Sequence, residues 1–260
     1  GLLNLDELKQ VVSEHEGKIA LISIMHSNNE VGTLQDIAQV VKIAGQIPVH
    51  ADCVQSFGKV ELSFKQLGLT AATVRAHKVG GPLGVAALIL KRGLDIEPIL
   101  HGGGQERDIR SGTFNAPSIV SFAAAAKESV AQSNQRSEII RKLKAELIST
   151  IKKGVPDIWV NGDQEKSLPG IISITFPKTD SEGLLLLLDS EGIACSTGSA
   201  CSAGVQRPSH VLLAMGLTED ETTSTLRFSL NHSNTIIEIA KLGAVIASVV
   251  ARSRAASGKK

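Results

Sequence analysis

The sequence has few cysteines, no long apolar run and almost no excess of either charge. Its 260 residues include three cysteines, Cys53, Cys195 and Cys201, which are too few and too scattered for a disulfide framework. An odd number of cysteines in a chain of this size is typical of a reducing compartment. We therefore predict a cytoplasmic protein whose thiols are free for catalysis.

Charge and hydropathy exclude two further classes of protein. Lysine and arginine number 27 against 26 aspartates and glutamates, a formal net charge of +1, and no basic stripe indicates direct binding to nucleic acid. The leucine run from Leu184 to Leu188 is far shorter than the ~20 apolar residues that span a bilayer. No charged segment followed by an apolar one opens the chain, so we expect neither a secretory signal nor a membrane contact.

Helical and strand-like patterns alternate in the first half of the chain. Apolar residues at helical spacing predict helices over residues 5–15 and 36–44, with Asp36 as a candidate N-cap. Short β-branched or apolar runs predict strands over residues 18–25, 47–51, 71–74 and 85–90. This alternation predicts an α/β fold, with a mostly parallel sheet covered by helices on both faces.

The second half of the chain suggests a smaller α+β domain. Two helices are predicted over residues 118–133 and 137–153, and the polar segment 132–136 between them is a candidate domain junction. We therefore divide the chain into a large domain, residues 1–132, and a small domain, residues 133–260. Within the small domain the pattern predicts strands over 171–176, 192–195 and 226–230, and helices over 182–188, from Pro208, and over 236–250.

Polar residues follow three of the predicted strands, at Asn28-Asn29, Asp52 and His77-Lys78. Ligands of parallel α/β sheets gather at the carboxyl ends of the strands, so we expect a site at this edge. Lys78 follows an apolar run and precedes a Gly-Gly-Pro turn, which predicts a desolvated amine able to form an imine with an aldehyde. Asp52 could cap a turn or keep a pyridinium nitrogen protonated, and Gln55 could reach the same ligand or face solvent.

Five sequence blocks resemble those of the cysteine desulfurases, in the same order as in that family. They are Met25 to Gly32, His50 to Ser56, Ala76-His77-Lys78, His101 to Arg107 with Arg110 to Thr113, and Ser199-Ala200-Cys201. The resemblance extends from about Asn4 to Ser233. It implies a pyridoxal-phosphate (PLP) enzyme with the aspartate-aminotransferase fold, in the class V aminotransferase group. The Ser-Ala-Cys block is similar to the branch that includes the iron–sulfur and nitrogen-fixation desulfurases.

The resemblance implies a cofactor role for each residue of the first group. Lys78 would hold PLP and later move the substrate's Cα proton, and Asp52 would pair with the pyridine nitrogen. Gln55 would hydrogen-bond the 3-oxygen of the ring, and His77 would contact the phosphate. Arg75 stands where the best-known members have a phosphate-binding serine. It could bind the phosphate as a cation or point away from it.

A second group of residues would bind the substrate and carry the sulfur. By resemblance, Asn29 and Arg227 would bind the substrate carboxylate, with Asn29 also near the cofactor. Thr113 would reach the phosphate of the partner subunit, which implies a homodimer. Cys201 would be the nucleophile, because it lies in a Gly- and Ser-rich segment, whereas Cys53 and Cys195 lie in apolar contexts typical of core residues.

The implied reaction removes sulfur from L-cysteine, giving L-alanine and a persulfide on Cys201. The sulfur would pass to an acceptor protein, either an iron–sulfur scaffold or a tRNA-thiolation enzyme, and no metal site is predicted. Alternatives are a selenocysteine lyase or a related PLP lyase, and an inactive truncated subunit that serves as an interaction module. Family members carry a long segment before the block at which Gly1 begins, including a ring-stacking histidine. We therefore expect weak or absent desulfurase activity from the isolated 260-residue chain.

Overall fold

The computed structural model describes residues 1–198 and 208–258, which form two units. The N-terminal unit comprises Leu3–His26 and Gln35–Ser133. The C-terminal unit comprises Gly1–Leu2, Ser27–Leu34 and the chain from Asn134 onward. The division into functional domains at residues 132 and 133 stays a prediction.

A four-stranded sheet forms the centre of the N-terminal unit. Its order is β1 (Ile22–Met25), β2 (Val49–Asp52), β3 (Ala71–Arg75) and β4 (Ala86–Leu90). The first three strands are parallel and β4 is antiparallel to β3. Because neighbouring parallel strands end at one edge of the sheet, the residues that follow β2 and β3 share that edge. The predicted mostly parallel sheet is confirmed.

Helices cover the apolar face of this sheet. The unit contains α1 (Leu5–Glu14), α2 (Ile37–Ala44) and α3 (Phe64–Leu67). The α2 helix begins after Asp36, whose carboxylate accepts the N–H of Gln39 at 3.1 Å, and it ends at Gly45. The core joins three apolar residues of α2 to alternate residues of the strands: Ile37, Val40, Ala44, Val49, Ala51, Ala72 and Val74.

The C-terminal unit contains an antiparallel sheet and long helices. Its helices are α4 (Ala116–Gly154, from residue 134 onward), α5 (Ser181–Ser190), α6 (His210–Ala214), α7 (Glu219–Thr222) and α8 (Ile236–Ser257). The strand order is β5 (Trp159–Asn161), β6 (Ile171–Thr175), β8 (Thr225–Ser229) and β7 (Ser196–Thr197). Every residue of β6 is buried, and Phe176 packs edge-to-face on Phe228 with ring centroids 6.5 Å apart. The helices and the sheet of this unit share one apolar core.

Three predicted elements, two helices and one strand, differ in the structure. The predicted helices over 118–133 and 137–153 are one helix, α4, and the polar segment 132–136 lies within it. That segment contains neither proline nor glycine, so nothing in it interrupts the helical hydrogen bonds. The strand predicted over 192–195 is instead Ser196–Thr197, paired with β8. Among the described residues, the short elements α3, β5 and α7 and the 3₁₀ helix Ala76–Val79 were not predicted.

Within the part of the chain that the structure describes, no helix combines the length and the apolar character that crossing a bilayer requires.

Candidate active site

Asp52 and Lys78 follow neighbouring parallel strands of the N-terminal unit. Asp52 is the last residue of β2, is partly buried, and accepts the N–H of Val54 at 2.9 Å through its carboxylate. Lys78 lies in the one-turn 3₁₀ helix Ala76–Val79 directly after β3, and Asp52 is paired with Thr73 of that strand. A carboxylate and an amine therefore lie at one sheet edge, as the sequence predicts.

Lys78 is exposed, so the prediction of a desolvated amine is wrong. A 3₁₀ helix turns about 120° per residue, so side chains two positions apart lie on different sides of it. Ala76 is fully buried, which leaves Lys78 on the outer side. An exposed amine is accessible to an aldehyde. Its neighbours Arg75 and His77 are exposed and partly buried, respectively.

Burial does perturb another lysine of the N-terminal unit, Lys59. Burial, together with the positive charge of Lys78, lowers the pKa of Lys59 to about 8. The two ammonium groups are therefore close enough to influence one another. Sequence reasoning missed Lys59 because nothing in its local pattern signals burial.

A chain of hydrogen bonds crosses the sheet on the face that carries Asp52. The Nδ1 atom of His50 lies 2.8 Å from the hydroxyl of Ser23 on β1, and its Nε2 atom lies 2.8 Å from the hydroxyl of Thr73 on β3. His50 precedes Asp52 by two residues, so both side chains emerge on the same face of β2. These bonds tie the strand that carries Asp52 to its two neighbours. His50 begins the block from His50 to Ser56, but no role for it was predicted from the sequence.

In the C-terminal unit, the two predicted carboxylate-binding residues are in contact. The Nη1 atom of Arg227 donates to the backbone oxygen of Asn29 at 3.0 Å, across 198 positions of sequence. The Nε atom of Arg227 is buried and has no hydrogen-bond partner among the described residues. A buried guanidinium N–H without a partner is costly, and a carboxylate is the group that would satisfy it.

The remaining predicted residues are placed as follows. Gln55 is partly buried, and Thr113 is exposed after Gly112. The loop predicted over 101–107 is confirmed as irregular, and the side chain of Gln105 accepts the N–H of Gly112 at 2.9 Å. Cys201 lies outside the described residues.

The two described cysteines are unsuited to nucleophilic chemistry. Cys53 is fully buried in the N-terminal core, and its burial, with a smaller contribution from the charge of Asp52, raises the pKa of its thiol to about 11. Cys195 packs against the C-terminal core, and burial, with the charge of Asp189, raises its pKa to about 12. Since the thiolate is the reactive form, both thiols should react slowly near neutral pH. This agrees with the prediction that they are core residues.

Residues 1–242 match the Aminotransferase class-V family. The chain belongs to this family. An IscS-like cysteine desulfurase of Mycobacterium tuberculosis (strain ATCC 25618 / H37Rv) is 41% identical over 260 residues, covering 99% of this chain and 66% of that protein. The chain therefore spans just under two thirds of this relative's length.

Comparison with solved structures agrees with these matches. The X-ray structure of a NifS-like protein from Rickettsia africae ESF-5 gives a TM-score of 0.88 at 35% identity, covering 96% of this chain and 67% of that one. A structure described as SspA in complex with cysteine gives a TM-score of 0.70 at 29% identity, covering 90% of this chain and 64% of that one. The predicted family and its α/β fold are confirmed.

The cofactor of this family is PLP, and the donor set of the N-terminal unit fits it. Lys78 offers an accessible amine for an aldehyde, and Asp52 offers a carboxylate for a protonated ring nitrogen. Gln55 adds an amide, and Arg75 adds an exposed cation suited to a phosphate. The individual roles of these residues stay predictions.

Proposed function

We propose that the protein containing this chain is a PLP-dependent cysteine desulfurase. The observation that carries the proposal is the position of Lys78 and Asp52 at the ends of adjacent parallel strands. The 41% identity to an IscS-like cysteine desulfurase supports the same reaction. The substrate is L-cysteine, and a relative of 29% identity is described as a complex with that amino acid.

Each residue proposed to bind the cofactor has a role that follows from its chemistry. When bound, PLP supplies an electron sink that lets bonds at the Cα atom of an amino acid break. Lys78 would bind the cofactor through its amine and afterwards move the Cα proton of the substrate. Asp52 would hold the proton on the ring nitrogen, Gln55 would hydrogen-bond the 3-oxygen, and His77 and Arg75 would bind the phosphate.

The substrate carboxylate is bound by Arg227 and Asn29. The unpartnered Nε atom of Arg227 donates to one carboxylate oxygen, and its contact with the Asn29 backbone holds the guanidinium in place. Because the guanidinium is planar with several fixed donors, it orients the carboxylate as well as attracting it. A contact of Asn29 with the cofactor is implied only by the resemblance to the desulfurases.

Cys201 removes the sulfur atom from the substrate in this proposal. Its thiolate attacks the sulfur of L-cysteine, the bond between that sulfur and Cβ breaks, and a persulfide forms on Cys201. The electron pair of the broken bond remains with the three-carbon product, which takes up protons and leaves as L-alanine. An acceptor protein, an iron–sulfur scaffold or a tRNA-thiolation enzyme, then removes the outer sulfur.

We place this reaction in the cytoplasm, in a homodimer. A reducing compartment keeps thiols available for persulfide chemistry, and the described cysteines, Cys53 and Cys195, carry free thiols. Thr113 is exposed and therefore available to contact the phosphate held by a partner subunit. Both assignments extend the resemblance to the desulfurases.

The experiment measures alanine formation from L-cysteine by the full-length protein with PLP and a reductant. Lys78→Ala and Cys201→Ser should each abolish alanine formation, whereas Cys195→Ser should retain it. Borohydride treatment in the presence of PLP should add a reduced pyridoxyl group to Lys78, detected by peptide mass spectrometry. Full activity in the Cys201→Ser protein, or a pyridoxyl group on another lysine, would contradict the proposal.

A further inference from the structure

Glu30 is a buried carboxylate that the proposed reaction does not use. It is 5% exposed and lies between Asn29 and Val31 in the C-terminal unit. Burying a carboxylate is costly unless hydrogen bonds and positive charges offset the lost hydration. The contacts of Glu30 therefore indicate the role of this buried carboxylate.

One oxygen of Glu30 meets two residues that are far apart in the chain. Its Oε2 atom accepts a hydrogen bond from the hydroxyl of Ser209 at 2.5 Å, across 179 positions of sequence. The same atom lies 3.1 Å from the point that a β-carbon on Gly198 would occupy. Gly198 and Ser209 are themselves buried. A single carboxylate oxygen thus lies against both residues.

The charges around Glu30 come from the same unit. Burial raises the pKa of Glu30, while the hydrogen bond from Ser209 and the positive charges of His210 and Arg227 act in the opposite direction. Arg227 is also fixed to the neighbouring residue by its bond to the Asn29 backbone. The carboxylate is therefore held from several sides.

Gly198 and Ser209 flank the segment of the chain that contains Cys201. Gly198 follows β7 directly, and Ser209 is the N-cap of α6, where its hydroxyl also accepts the N–H of Leu212 at 3.2 Å. Where these two residues are held determines where the segment between them starts and ends. A displacement of about 1 Å at reacting atoms can cost roughly 100-fold in rate.

We propose that Glu30 is a positioning residue for the sulfur transfer carried out by Cys201. Its carboxylate accepts a hydrogen bond from Ser209 and lies against Gly198, the two buried residues that flank the Cys201 segment, so its loss should affect the step that requires Cys201. The inference rests on the proposed desulfurase function.

The first experiment compares three variants of the full-length protein with PLP. Glu30→Ala removes the carboxylate, Ser209→Ala removes the donor, and Glu30→Gln keeps an oxygen that can accept from Ser209. Glu30→Ala and Ser209→Ala should each lower kcat for L-cysteine at least 10-fold, with KM within about 2-fold of the wild-type value. Glu30→Gln should stay within about 3-fold of wild type, because the acceptor is retained.

A second substrate separates this role from a general structural one. L-β-chloroalanine loses chloride without help from a thiol, so its turnover uses the cofactor-binding residues but not Cys201. Its turnover should change less than 2-fold in Glu30→Ala. The matched control is Glu238→Ala, which removes the carboxylate that caps α8 through the Thr235 N–H at 2.6 Å and should leave both reactions unchanged.

The opposite perturbation adds atoms at the same contact. A methyl group in Gly198→Ala would lie 3.1 Å from the Glu30 oxygen and 3.7 Å from Leu212 Cδ1, so the neighbours must shift. We expect this substitution to lower kcat for L-cysteine about 5-fold in the wild-type background but less than 2-fold in the Glu30→Ala background. Such non-additivity would show that residue 198 and the Glu30 carboxylate interact.

The outcomes are distinguishable. Equal losses with both substrates, or a 10-fold rise in KM, would mean that Glu30 acts through Arg227 or through the fold and would overturn the inference. An active wild type with an unaffected Glu30→Ala variant would overturn the inference alone. A wild type that turns over L-β-chloroalanine but not L-cysteine would overturn the proposed function, and the inference with it.

Discussion

Alkylation by iodoacetamide separates the three cysteine thiols of the native protein. An ordinary thiol with a pKa of about 8.5 is about one-quarter thiolate at pH 8. With its pKa raised to about 11 by burial, Cys53 is about 0.1% thiolate at that pH. With its pKa raised to about 12, Cys195 is about 0.01% thiolate. The thiolate populations thus fall about 240-fold and about 2,400-fold below that of an ordinary thiol.

A higher pKa also makes the thiolate a better nucleophile, which offsets part of this effect. With a Brønsted coefficient of about 0.45, the gain is about 13-fold for Cys53 and about 40-fold for Cys195. The net rates at pH 8 should therefore be about 20-fold and about 60-fold slower than that of an ordinary thiol. Cys201, the proposed nucleophile, should be alkylated first.

The assay follows carbamidomethylation of the three cysteine peptides over time by mass spectrometry, in native buffer and in urea. In urea the three thiols should react at similar rates, which provides the reference for each peptide. Native alkylation of Cys195 or Cys53 at its urea rate would refute the reasoning from burial. Slower native alkylation of Cys201 than of Cys195 would refute the choice of nucleophile.

Three further predictions concern substrate binding and stability. Replacing Arg227 with Ala should raise KM for L-cysteine about 10- to 150-fold, because a hydrogen bond to a charged group contributes about 1.5–3 kcal/mol; an unchanged KM in the alanine assay would contradict the carboxylate role. Phe176→Ala should lower the free energy of unfolding by about 3–5 kcal/mol in urea titrations, because the side chain is fully buried. Leu186→Ala, at a side chain 69% exposed, is its control and should cost less than about 1 kcal/mol, so equal losses would count against the packing argument. Burial lowers the pKa of His26, so below about pH 6.5 the unfolded state binds a proton that the native state does not, and stability should fall as the pH falls through that window. This slope should disappear in His26→Gln and persist in His15→Gln, where the side chain is exposed; persistence in both would contradict the assignment.

The sequence located the strand ends of the N-terminal unit because the signals there are local. Apolar runs end at Asp52 and just before Lys78, and strand periodicity depends only on neighbouring residues. The α2 helix was predicted for the same reason, since its N-cap Asp36 and its apolar stripe lie within nine residues of one another. These elements needed no knowledge of the rest of the fold.

The prediction of two helices in place of α4 shows where local signals mislead. Residues 132–136 are polar, which suggested a loop, but polar residues are compatible with a solvent-facing helix. Their helical state depends on the apolar residues on either side, such as Phe122 and Leu147, which are buried in the cores of the two units. Packing, rather than the composition of the segment, decides whether the helix continues.

The sequence by itself determined the kind of chemistry: an amine, a carboxylate and a thiol in recognisable blocks, with the first two at strand ends. Only the tertiary structure decided the surroundings that set their properties. It exposed Lys78 and partly buried Lys59, joined Arg227 to Asn29, and brought Glu30 against Ser209. The free energy of a charge depends on the water and dipoles around it, and those are supplied by residues far away in the chain.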